Sequence, residues 1–369
     1  MSRTMHYYED EMRYLYESGR RFAAAHPDRA RFLNVDAVGD RDPTVERLFE
    51  GFAFLTARIR EKIDELFPEM TETLIERLWP QLLRDIPSAA VVELKPRRGL
   101  LQQTRTLPRG LEVLSSQVGP EKVRCRFVTT SPVRLNPITL TRADTAVDTR
   151  GRQSLSLTFQ LDNGINREAV SLDPVRLYLH AEFASALALH EYLTSHVVAA
   201  RLTDADGRVL GEIPPDRATA PGGLTPEESL LPHQATGAWG YSLLAEYFAY
   251  PEKFLFVDLH GLDAAGRDTT APSSFTLTLT FDRPFPKGVI PTAETFRLFC
   301  TPVINLYQRD AEPIRTDGRR ESHCVIADSA CPKTIVTHSV VSVTGVDRGS
   351  GRRTAYIPAS AAAFSPGDR

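Results

Sequence analysis

The stretch that decides the N-terminal fold is DPTVERLFEGFAFLTARI, which occupies residues 42–59. Asp42 is a favourable N-cap, and Pro43 suits the first helical position, where its missing N–H costs nothing. The sequence therefore predicts a helix that begins at Pro43. Apolar residues recur every three or four positions along it, which predicts one apolar stripe over about six turns. The stripe consists of Val45, Leu48, Phe49, Phe52, Leu55, Ile59, Ile63 and Leu66.

Two further helices are predicted on either side of this one. The segment from Thr4 to His26 carries apolar residues four and three positions apart, which is the spacing of a coiled-coil seam, and it stops before Pro27. We therefore expect it to pack lengthwise on another helix. The seam residues are Tyr8, Met12, Leu15 and Phe22, with Gly19 among them. A third helix is predicted from Thr71 to Leu83.

The wide apolar stripes of these helices allow two interpretations. The three helices could form a self-contained bundle. Alternatively, they could join helices of other chains, because an extended helical arm exposes more apolar surface than a monomer normally tolerates.

From Ala89 onward the sequence changes to short alternating runs separated by Pro, Gly, Asp and Asn, which is typical of strands. Helical insertions are predicted at Ser185–His196 and Tyr241–Ala249. The predicted strands are 89–94, 111–114, 123–128, 154–159, 175–179 and 275–281. Many short strands favour sandwich-like domains.

The predicted fold class is therefore α+β, with an N-terminal helical arm followed by β-rich sandwich-like domains with helical insertions. The predicted divisions are a helical region at 1–87, a β-rich domain at 88–213, a loop excursion at 214–238 and a second β-rich domain at 239–369. The excursion is placed there because 214–237 is rich in Pro, Gly and Thr.

Composition excludes several classes of function. The 369 residues are 42% hydrophobic and 25% charged, and the net charge of -3 gives no basic field for nucleic acid. Four cysteines do not make a disulfide framework, so reduced cytosolic thiols are expected. The N-terminus lacks the apolar core of a signal peptide, and no apolar run approaches the roughly 20 residues of a membrane helix. We expect any membrane link to go through a partner.

The motifs of enzymes and metal sites are not matched. His190 and His196 are six residues apart and would not share a helix face, so a capping or surface role is expected for His196. His323, Cys324, Cys331 and His338 are zinc-type ligands without zinc-type spacing, and half-buried strand positions are the expected explanation. There is no nucleophile elbow, Walker loop or Gly-x-Gly-x-x-Gly motif. The sequence predicts no enzyme, no cofactor, no metal and no small-molecule substrate.

An alternative function is a carbohydrate- or ligand-binding β-sandwich protein. It is motivated by the strand-rich region and by the aromatic residues Tyr241, Tyr247, Phe248 and Tyr250. The simpler explanation of these aromatics is a helix that docks on its own sheet.

Several stretches resemble one protein family and keep its order along nearly the whole chain. They are YYEDEM at 7–12, FAAAHP at 22–27, the stretch at 42–59, LWP at 78–80, IPS at 86–88, EYFAYPEKFLF at 246–256 and LFCTPVINLY at 298–307. The family is TssF, also called VasA or ImpG, a baseplate subunit of the type VI secretion system. Members generally continue beyond the point where this chain ends, so we expect a short variant or a truncated product.

The resemblance implies a structural role in the wedge of a contractile injection machine similar to a phage tail. In that family two TssF copies associate with one TssG, the unit recruits TssK and TssE, and wedges surround the VgrG hub. The expected location is a cytoplasmic baseplate docked at the inner membrane of a Gram-negative bacterium, linked indirectly to the inner-membrane complex. The resemblance also implies a helical core bundle shared with TssG, for which the stripe Val45–Leu66 is the candidate contributor.

Overall fold

The computed structural model describes residues 3–30, 43–78, 83, 85–97, 99–120, 122–148, 151–165, 169–231, 239–267, 273–316, 323–329 and 334–356. The chain divides into two compact units. One consists of Met1–Arg84 with Ser342–Arg369, and the other is Asp85–Val341. Within the described residues, no helix combines the length and the hydropathy that crossing a membrane requires.

The first unit is mainly helical. Its helices are α1 (Arg3–Ala25), α2 (Pro27–Ala30) and α3 (Pro43–Leu78). The start of α3 at Pro43 confirms the predicted beginning of that helix. Helix α1 ends at Ala25, two residues before Pro27, as expected because proline has no backbone N–H to continue a helix. The unit also contains a hairpin of the strands β16 (Val343–Val346) and β17 (Arg353–Tyr356).

The prediction of a separate third helix from Thr71 is wrong. Helix α3 continues for 36 residues and contains Pro68 in its interior. A proline inside a helix removes one backbone hydrogen bond and costs about 3 kcal/mol, but it can kink a helix without ending it. No Gly or Asn lies near Pro68 to form a turn, so the helix formers on both sides stay in one helix. Within the predicted span Thr71–Leu83, residues 79–82 lie outside the described residues, and Leu83 lies in a turn.

The second unit is β-rich and carries short helical insertions. Its strands are β1 (Ala89–Glu93), β2 (Arg105–Leu107), β3 (Glu112–Val118), β4 (Val123–Thr129), β5 (Val133–Leu135), β6 (Ile138–Val147), β7 (Gln153–Leu161), β8 (Val175–Leu179), β9 (Val197–Asp204), β10 (Val209–Ile213), β11 (Thr219–Pro221), β12 (Phe256–Leu259), β13 (Ser274–Phe281), β14 (Phe296–Leu298) and β15 (Cys300–Ile304). The six strands predicted from alternation are present as β1, β3, β4, β7, β8 and β13.

Three larger antiparallel sheets and one two-stranded sheet organise these strands. The sheet orders are β1-β15-β4-β3, β10-β9-β13-β7-β6 and β11-β12-β8-β14, and β2 pairs with β5. Strand β13 lies between β7 and β9 in the five-stranded sheet. Strands from both sides of residues 214–238 therefore share one sheet.

The core of this unit lies between the five-stranded sheet and the sheet β11-β12-β8-β14. Every second residue of β7 and β13 is buried, and Phe159 stacks on Phe275 with ring centroids 5.3 Å apart. Inward residues of β8 and β12 and the apolar side of α4 (Phe183–Ser195) belong to the same core. This packing confirms the α+β fold class predicted from the strand periodicity.

The remaining helices are α5 (Pro215–Ala218), α6 (Trp239–Ala249) and α7 (Asp263–Arg267). Helices α4 and α6 confirm the two predicted helical insertions within two residues at each end. The segment predicted as a loop excursion contains α5 and β11, and β11 pairs with β12. Its residues 232–238 lie outside the described residues.

Candidate functional site

Helices α1 and α3 pack against each other in antiparallel orientation through one face of each. Near the start of α1, the Tyr7 hydroxyl donates to Asp64 Oδ2 at 2.9 Å, whereas the Tyr16 ring contacts Phe49 with centroids 6.1 Å apart. This contact confirms that α1 packs lengthwise on another helix. On the α3 side the central residues of this contact face are small, since Ala53 and Ala57 are fully buried.

A charged pair crosses the same helix contact. Arg60 Nη1 lies 2.5 Å from Glu11 Oε1, and the Glu11 side chain is almost entirely buried. The hydrogen bond and the charge of Glu11 raise the pKa of Arg60 above its ordinary value. The pair fixes the two helices at this level, because a carboxylate held in a helix contact requires a cation or hydrogen-bond donors.

Of the predicted stripe of α3, Phe49 takes part in this contact, but five other residues do not. The side chains of these five are 48% to 71% exposed, and they are Leu48, Phe52, Leu55, Ile59 and Ile63. At about 100° per residue these five positions share one side of the helix, roughly 140° away from Ala53 and Ala57. Helix α1 therefore occupies a neighbouring face and leaves these five residues uncovered. We call them the α3 stripe.

Some of the other predicted interface residues are half-buried and one is exposed. Tyr8, Met12, Leu15 and Phe49 are half-buried, and Phe22 is exposed. The side chains of Val45 and Leu66 lie outside the described part of the chain. Met70 and Leu74 were not predicted but extend the exposed apolar surface along α3, because Pro68 does not end the helix.

A second exposed apolar face lies on α6. Tyr241 is 65% exposed and Phe248 is 82% exposed, with Leu244 exposed between them. The expectation that the aromatics of this helix dock on their own sheet is therefore wrong for these two residues. We call Tyr241, Leu244 and Phe248 the α6 face.

The side of α6 that faces the protein is held by a buried ion pair. The Lys253 ammonium contacts the Glu246 carboxylate, and both side chains are completely buried. Ser229 Oγ and the Leu230 backbone N–H donate to Glu246 Oε1 at 2.5 and 3.0 Å. Lys253 Nζ also lies 5.1 Å from the centroid of the Phe254 ring. The one carboxylate of α6 therefore points inward, and the α6 face points outward.

Sequence reasoning missed this pair, although a signal for it is present. Glu246 is the only charged residue in the otherwise uncharged stretch WGYSLLAEYFAY at 239–250. A lone charge in an apolar helix often marks a buried partner. The partner itself lies seven residues later, beyond the helix, and the spacing rules of a helix do not identify it.

The segment before α6 is anchored by two arginines of the second unit. Arg176 forms a bidentate ion pair with Asp258 at 2.7 Å and also contacts the Glu228 carboxylate. Arg109 donates to the backbone oxygens of Glu227 and Ser229 at 3.1 and 3.3 Å. These contacts position Ser229 and Leu230, which donate hydrogen bonds to Glu246.

Burial and ion pairing shift the pKa of the Glu228 carboxyl in opposite directions. Burial alone would raise the pKa of this carboxyl, but the ion pair with Arg176 and the hydrogen bonds from Thr225 lower it below its ordinary value. Glu228 Oε2 also accepts the backbone N–H of Gly223 at 3.0 Å. The charged form of Glu228 therefore holds the turn at Thr225.

The zinc-type residues of the sequence do not form a metal site among the described residues. His196 is the C-cap residue of α4, which confirms the expected capping role, and its backbone N–H donates to Tyr192 O at 3.1 Å. Burial lowers the pKa of His190.

The described members of the second zinc-type group do not lie in strands, so the expected strand positions are wrong, whereas the expected half-burial holds for His323 and His338. Cys324 is exposed, and His323 and His338 are half-buried in segments without regular structure. The run before β16 lacks the uninterrupted period-2 pattern that a strand needs. Cys331 lies outside the described residues.

Comparison with known proteins links this chain to one family. The family model described as "Type VI secretion system, TssF" matches residues 1–368. The type VI secretion system component TssF1 of Pseudomonas aeruginosa is 33% identical over 373 aligned positions, which cover 96% of this chain and 59% of that protein. This chain therefore spans about three fifths of the length of that relative.

Two solved structures contain similar chains. A chain of the type VI secretion system TssK-TssF-TssG baseplate subcomplex has a TM-score of 0.73 and 36% identity, over 85% of this chain and 58% of that one. A chain of a baseplate complex from the type VI secretion system has 38% identity and a TM-score of 0.45, over 85% of this chain and 54% of that one.

Proposed function

We propose that this chain, which belongs to the type VI secretion system TssF family, is a structural component of a baseplate that acts through protein surfaces and not through catalysis. The α3 stripe is the observation that carries the proposal. Five large apolar residues are exposed along one side of a helix whose other contact face is already occupied by α1.

The energetics of the stripe favour a permanent partner. Burying an exposed Leu, Ile or Phe side chain contributes about 1.5–3 kcal/mol. A contiguous stripe of five such residues is a large unfavourable surface in water, and on soluble proteins such surfaces usually mark an interface. The matching occupant is an apolar helix of another subunit, because side chains three and four positions apart pack as ridges into the grooves of a second helix.

The proposed partners follow from the family. The similar solved chain belongs to a complex of TssK, TssF and TssG, which supports assembly of this chain with a TssG and a TssK subunit. We assign the α3 stripe to a helical bundle shared with TssG. The resemblance further supports two TssF copies per TssG, contact with TssE and placement around a VgrG hub.

The proposed location is the cytoplasmic side of the inner membrane of a Gram-negative bacterium. A baseplate of this family would dock there through its partners, so the link of this chain to the membrane complex is indirect. The proposal needs no membrane-spanning helix in this chain.

Co-expression with the TssG subunit of the same system tests the proposal. We expect the wild-type chain to co-purify with TssG as one species in size-exclusion chromatography with light scattering. The double variant Leu55→Asp/Ile59→Asp places two charges in the stripe and should abolish co-purification. The control variant Ile290→Asp introduces a charge at an exposed apolar position of the second unit and should leave the complex intact.

Two results would contradict the proposal. One is a well-behaved monomeric chain that ignores TssG. The other is a double variant that binds TssG as the wild type does. Circular dichroism of each variant separates a lost interface from a lost fold.

A further inference from the structure

We propose that two copies of this chain pair through the edge strand β6, in antiparallel orientation and around a two-fold axis at Ala143. The inference rests on the proposed function as a structural subunit, and it names a contact between the two copies that would share one TssG. Because it uses a strand of the second unit, it can fail independently of the α3 stripe.

Strand β6 has one free side. It ends the five-stranded sheet, and among the described strands β7 is the only one that pairs with it. Ile138 at its start is buried, whereas residues 141, 142 and 144–147 are exposed. An edge strand presents a row of N–H and C=O groups that can pair with a further strand. Strand β6 can therefore accept one more neighbour.

The other edges of the larger sheets are shorter or carry features that normally protect an edge strand. Register shifts interrupt β3 and β10, and β11 contains Pro221. Strand β14 has three residues and β1 has five. In β6 the register shift lies between Leu140 and Arg142, and residues 142–147 pair with β7 without interruption and include no Pro, Gly or Lys. This is the longest uninterrupted edge among the three larger sheets of the described chain.

The backbone groups of Ala143 face this free edge. In an antiparallel sheet, alternate residues of a strand bond to one neighbour, and the residues between them bond to the other. The Leu161 N–H donates to Ser273 O at 2.7 Å, so Leu161 bonds away from β6. Leu157, four positions earlier in β7, bonds the same way. Its partner in β6 is Ala143, whose N–H and C=O groups therefore point away from β7, as do those of Thr145.

The charges that flank Ala143 indicate a second copy as the occupant. Arg142 and Asp144 lie on the face of the sheet opposite the core, with side chains 73% and 47% exposed, and Arg142 Nε is 2.6 Å from Asp144 Oδ2. In an antiparallel pair centred on Ala143, Arg142 of each copy lies opposite Asp144 of the other. Directly opposed charges of opposite sign stabilise a sheet, and like charges destabilise it. The strand is therefore complementary to itself, as a two-fold contact requires.

The same charges select the register. A pair centred on Arg142 would place two guanidinium groups opposite each other, and one centred on Asp144 would do the same with two carboxylates. A pair centred on Thr145 would place Arg142 opposite Asp148, which already pairs with Arg152 at 3.0 Å. Centring on Ala143 avoids all three conflicts.

A strand from another part of a longer protein is the alternative occupant. About two fifths of the Pseudomonas aeruginosa relative lies outside its alignment with this chain. Such a strand would have to supply an acidic and a basic residue two positions apart and in matching register, which β6 provides for itself. We therefore assign the edge to a second copy.

The size of the contact determines the expected affinity. Strands paired over residues 141–145 of each copy bury far less than the roughly 1,200 Å² at the lower end of standard interfaces. We expect weak pairing of isolated chains, seen only at high concentration. Pairing should be much stronger when one TssG holds two copies, because tethering raises their effective concentration.

Disulfide cross-linking tests the register. All variants carry Cys324→Ser and Cys331→Ser to remove background reactions. In the proposed pair, position 142 of one copy faces position 144 of the other with Cα atoms about 4.5–5.5 Å apart, which a disulfide can bridge. Two copies of position 142 would be roughly 8 Å apart, which is too far. A mixture of Arg142→Cys and Asp144→Cys chains, one of them carrying a size tag, should therefore give at least fivefold more cross-linked dimer than either variant alone.

Charge reversal tests the complementarity by an independent measurement. Arg142→Asp places carboxylates opposite each other and should lower the dimer fraction in sedimentation velocity at least threefold. The double variant Arg142→Asp/Asp144→Arg restores opposite charges and should restore the dimer. The matched control Arg201→Asp makes the same charge change at an exposed position of β9, inside the sheet, and should leave the dimer fraction unchanged. Circular dichroism checks that each variant keeps the fold.

Two results would overturn the inference. One is a mixture of cysteine variants that cross-links no better than each variant alone. The other is a double charge reversal that pairs no better than Arg142→Asp. Either result would mean that the edge stays free or receives a different strand, such as one from the part of the longer relatives that this chain does not match.

The two proposals fail in different ways. If Leu55→Asp/Ile59→Asp abolishes TssG binding and the β6 variants behave as the wild type does, only the β6 inference is wrong. If the wild-type chain ignores TssG but still forms the mixed disulfide, the proposed function is wrong and the pairing through β6 stands.

Discussion

Lys253 and Glu246 form an ion pair in which neither side chain has any exposed surface. Removing one partner leaves the other buried and uncompensated, which typically costs about 3–5 kcal/mol. We expect Lys253→Met to lower the free energy of unfolding of the second unit by about this amount. Urea denaturation followed by tryptophan fluorescence in a Trp79→Phe background measures it, because the remaining Trp239 lies at the start of α6, with its ring centroid 6.0 Å from Lys253 Nζ.

The double variant Glu246→Gln/Lys253→Met provides the control for this prediction. Glutamine keeps an oxygen that can accept the hydrogen bonds of Ser229 and Leu230, and no charge stays buried. The double variant should therefore be more stable than Lys253→Met. If Lys253→Met were as stable as the wild type, the Glu246–Lys253 pair would not hold α6 in place.

Glu228 should make the second unit sensitive to acid. Its pKa is lowered in the folded state by Arg176 and Thr225, so its stabilising contribution is present above the ordinary glutamate pKa of about 4.3 and is lost as the pH falls through the folded value. We expect Glu228→Gln to be less stable than the wild type at pH 7 and to lose less stability on acidification. Urea denaturation at pH 7 and pH 3.5 tests this. The exposed neighbour variant Glu227→Gln should follow the wild type, and equal acid sensitivity of the Glu228→Gln variant would contradict the assignment.

Both the backbone conformation at position 223 and the atoms around it require glycine there. Its φ is +82°, and an added Cβ would lie 2.8 Å from the Lys253 backbone oxygen. Gly207 has the same φ, but an added Cβ there would meet open space. We expect Gly207→Ala to cost about 1–2 kcal/mol for the left-handed conformation and Gly223→Ala to cost clearly more. Thermal unfolding of both variants measures the difference, and equal costs would mean that the loop moves freely away from Lys253.

Ala57 and Ile59 are two residues apart on α3 but lie on different sides of it. Ala57 is fully buried in the contact with α1, so Ala57→Leu should overpack that contact and cost about 1–3 kcal/mol. Ile59 is exposed, so Ile59→Ser should change the stability of the isolated chain by at most about 0.5 kcal/mol. Thermal unfolding followed by the helical circular dichroism signal distinguishes the two variants. If Ile59→Ser were the more destabilising variant, the stripe would be covered within the chain itself.

Most local features of this protein follow from its sequence. Asp42-Pro43 determines where α3 begins, and alternation of apolar residues identifies β7 and β13, because both signals depend only on neighbouring residues. The spacing of Leu48, Phe52, Leu55 and Ile59 is enough to place them on one side of a helix, because that placement depends only on the helical period. The family resemblance followed from the order of its stretches and is confirmed by the match over 1–368.

Only the tertiary structure decided which faces are covered. The sequence does not show that α1 packs on Ala53 and Ala57 and leaves the stripe exposed, because several faces of α3 are apolar enough to receive a helix. It also does not show that Glu246 turns inward to a lysine beyond the helix, or that β13 lies between β7 and β9. Helix and strand periods are local properties of the chain, whereas burial depends on contacts between residues distant in sequence, and these form only when the whole chain folds.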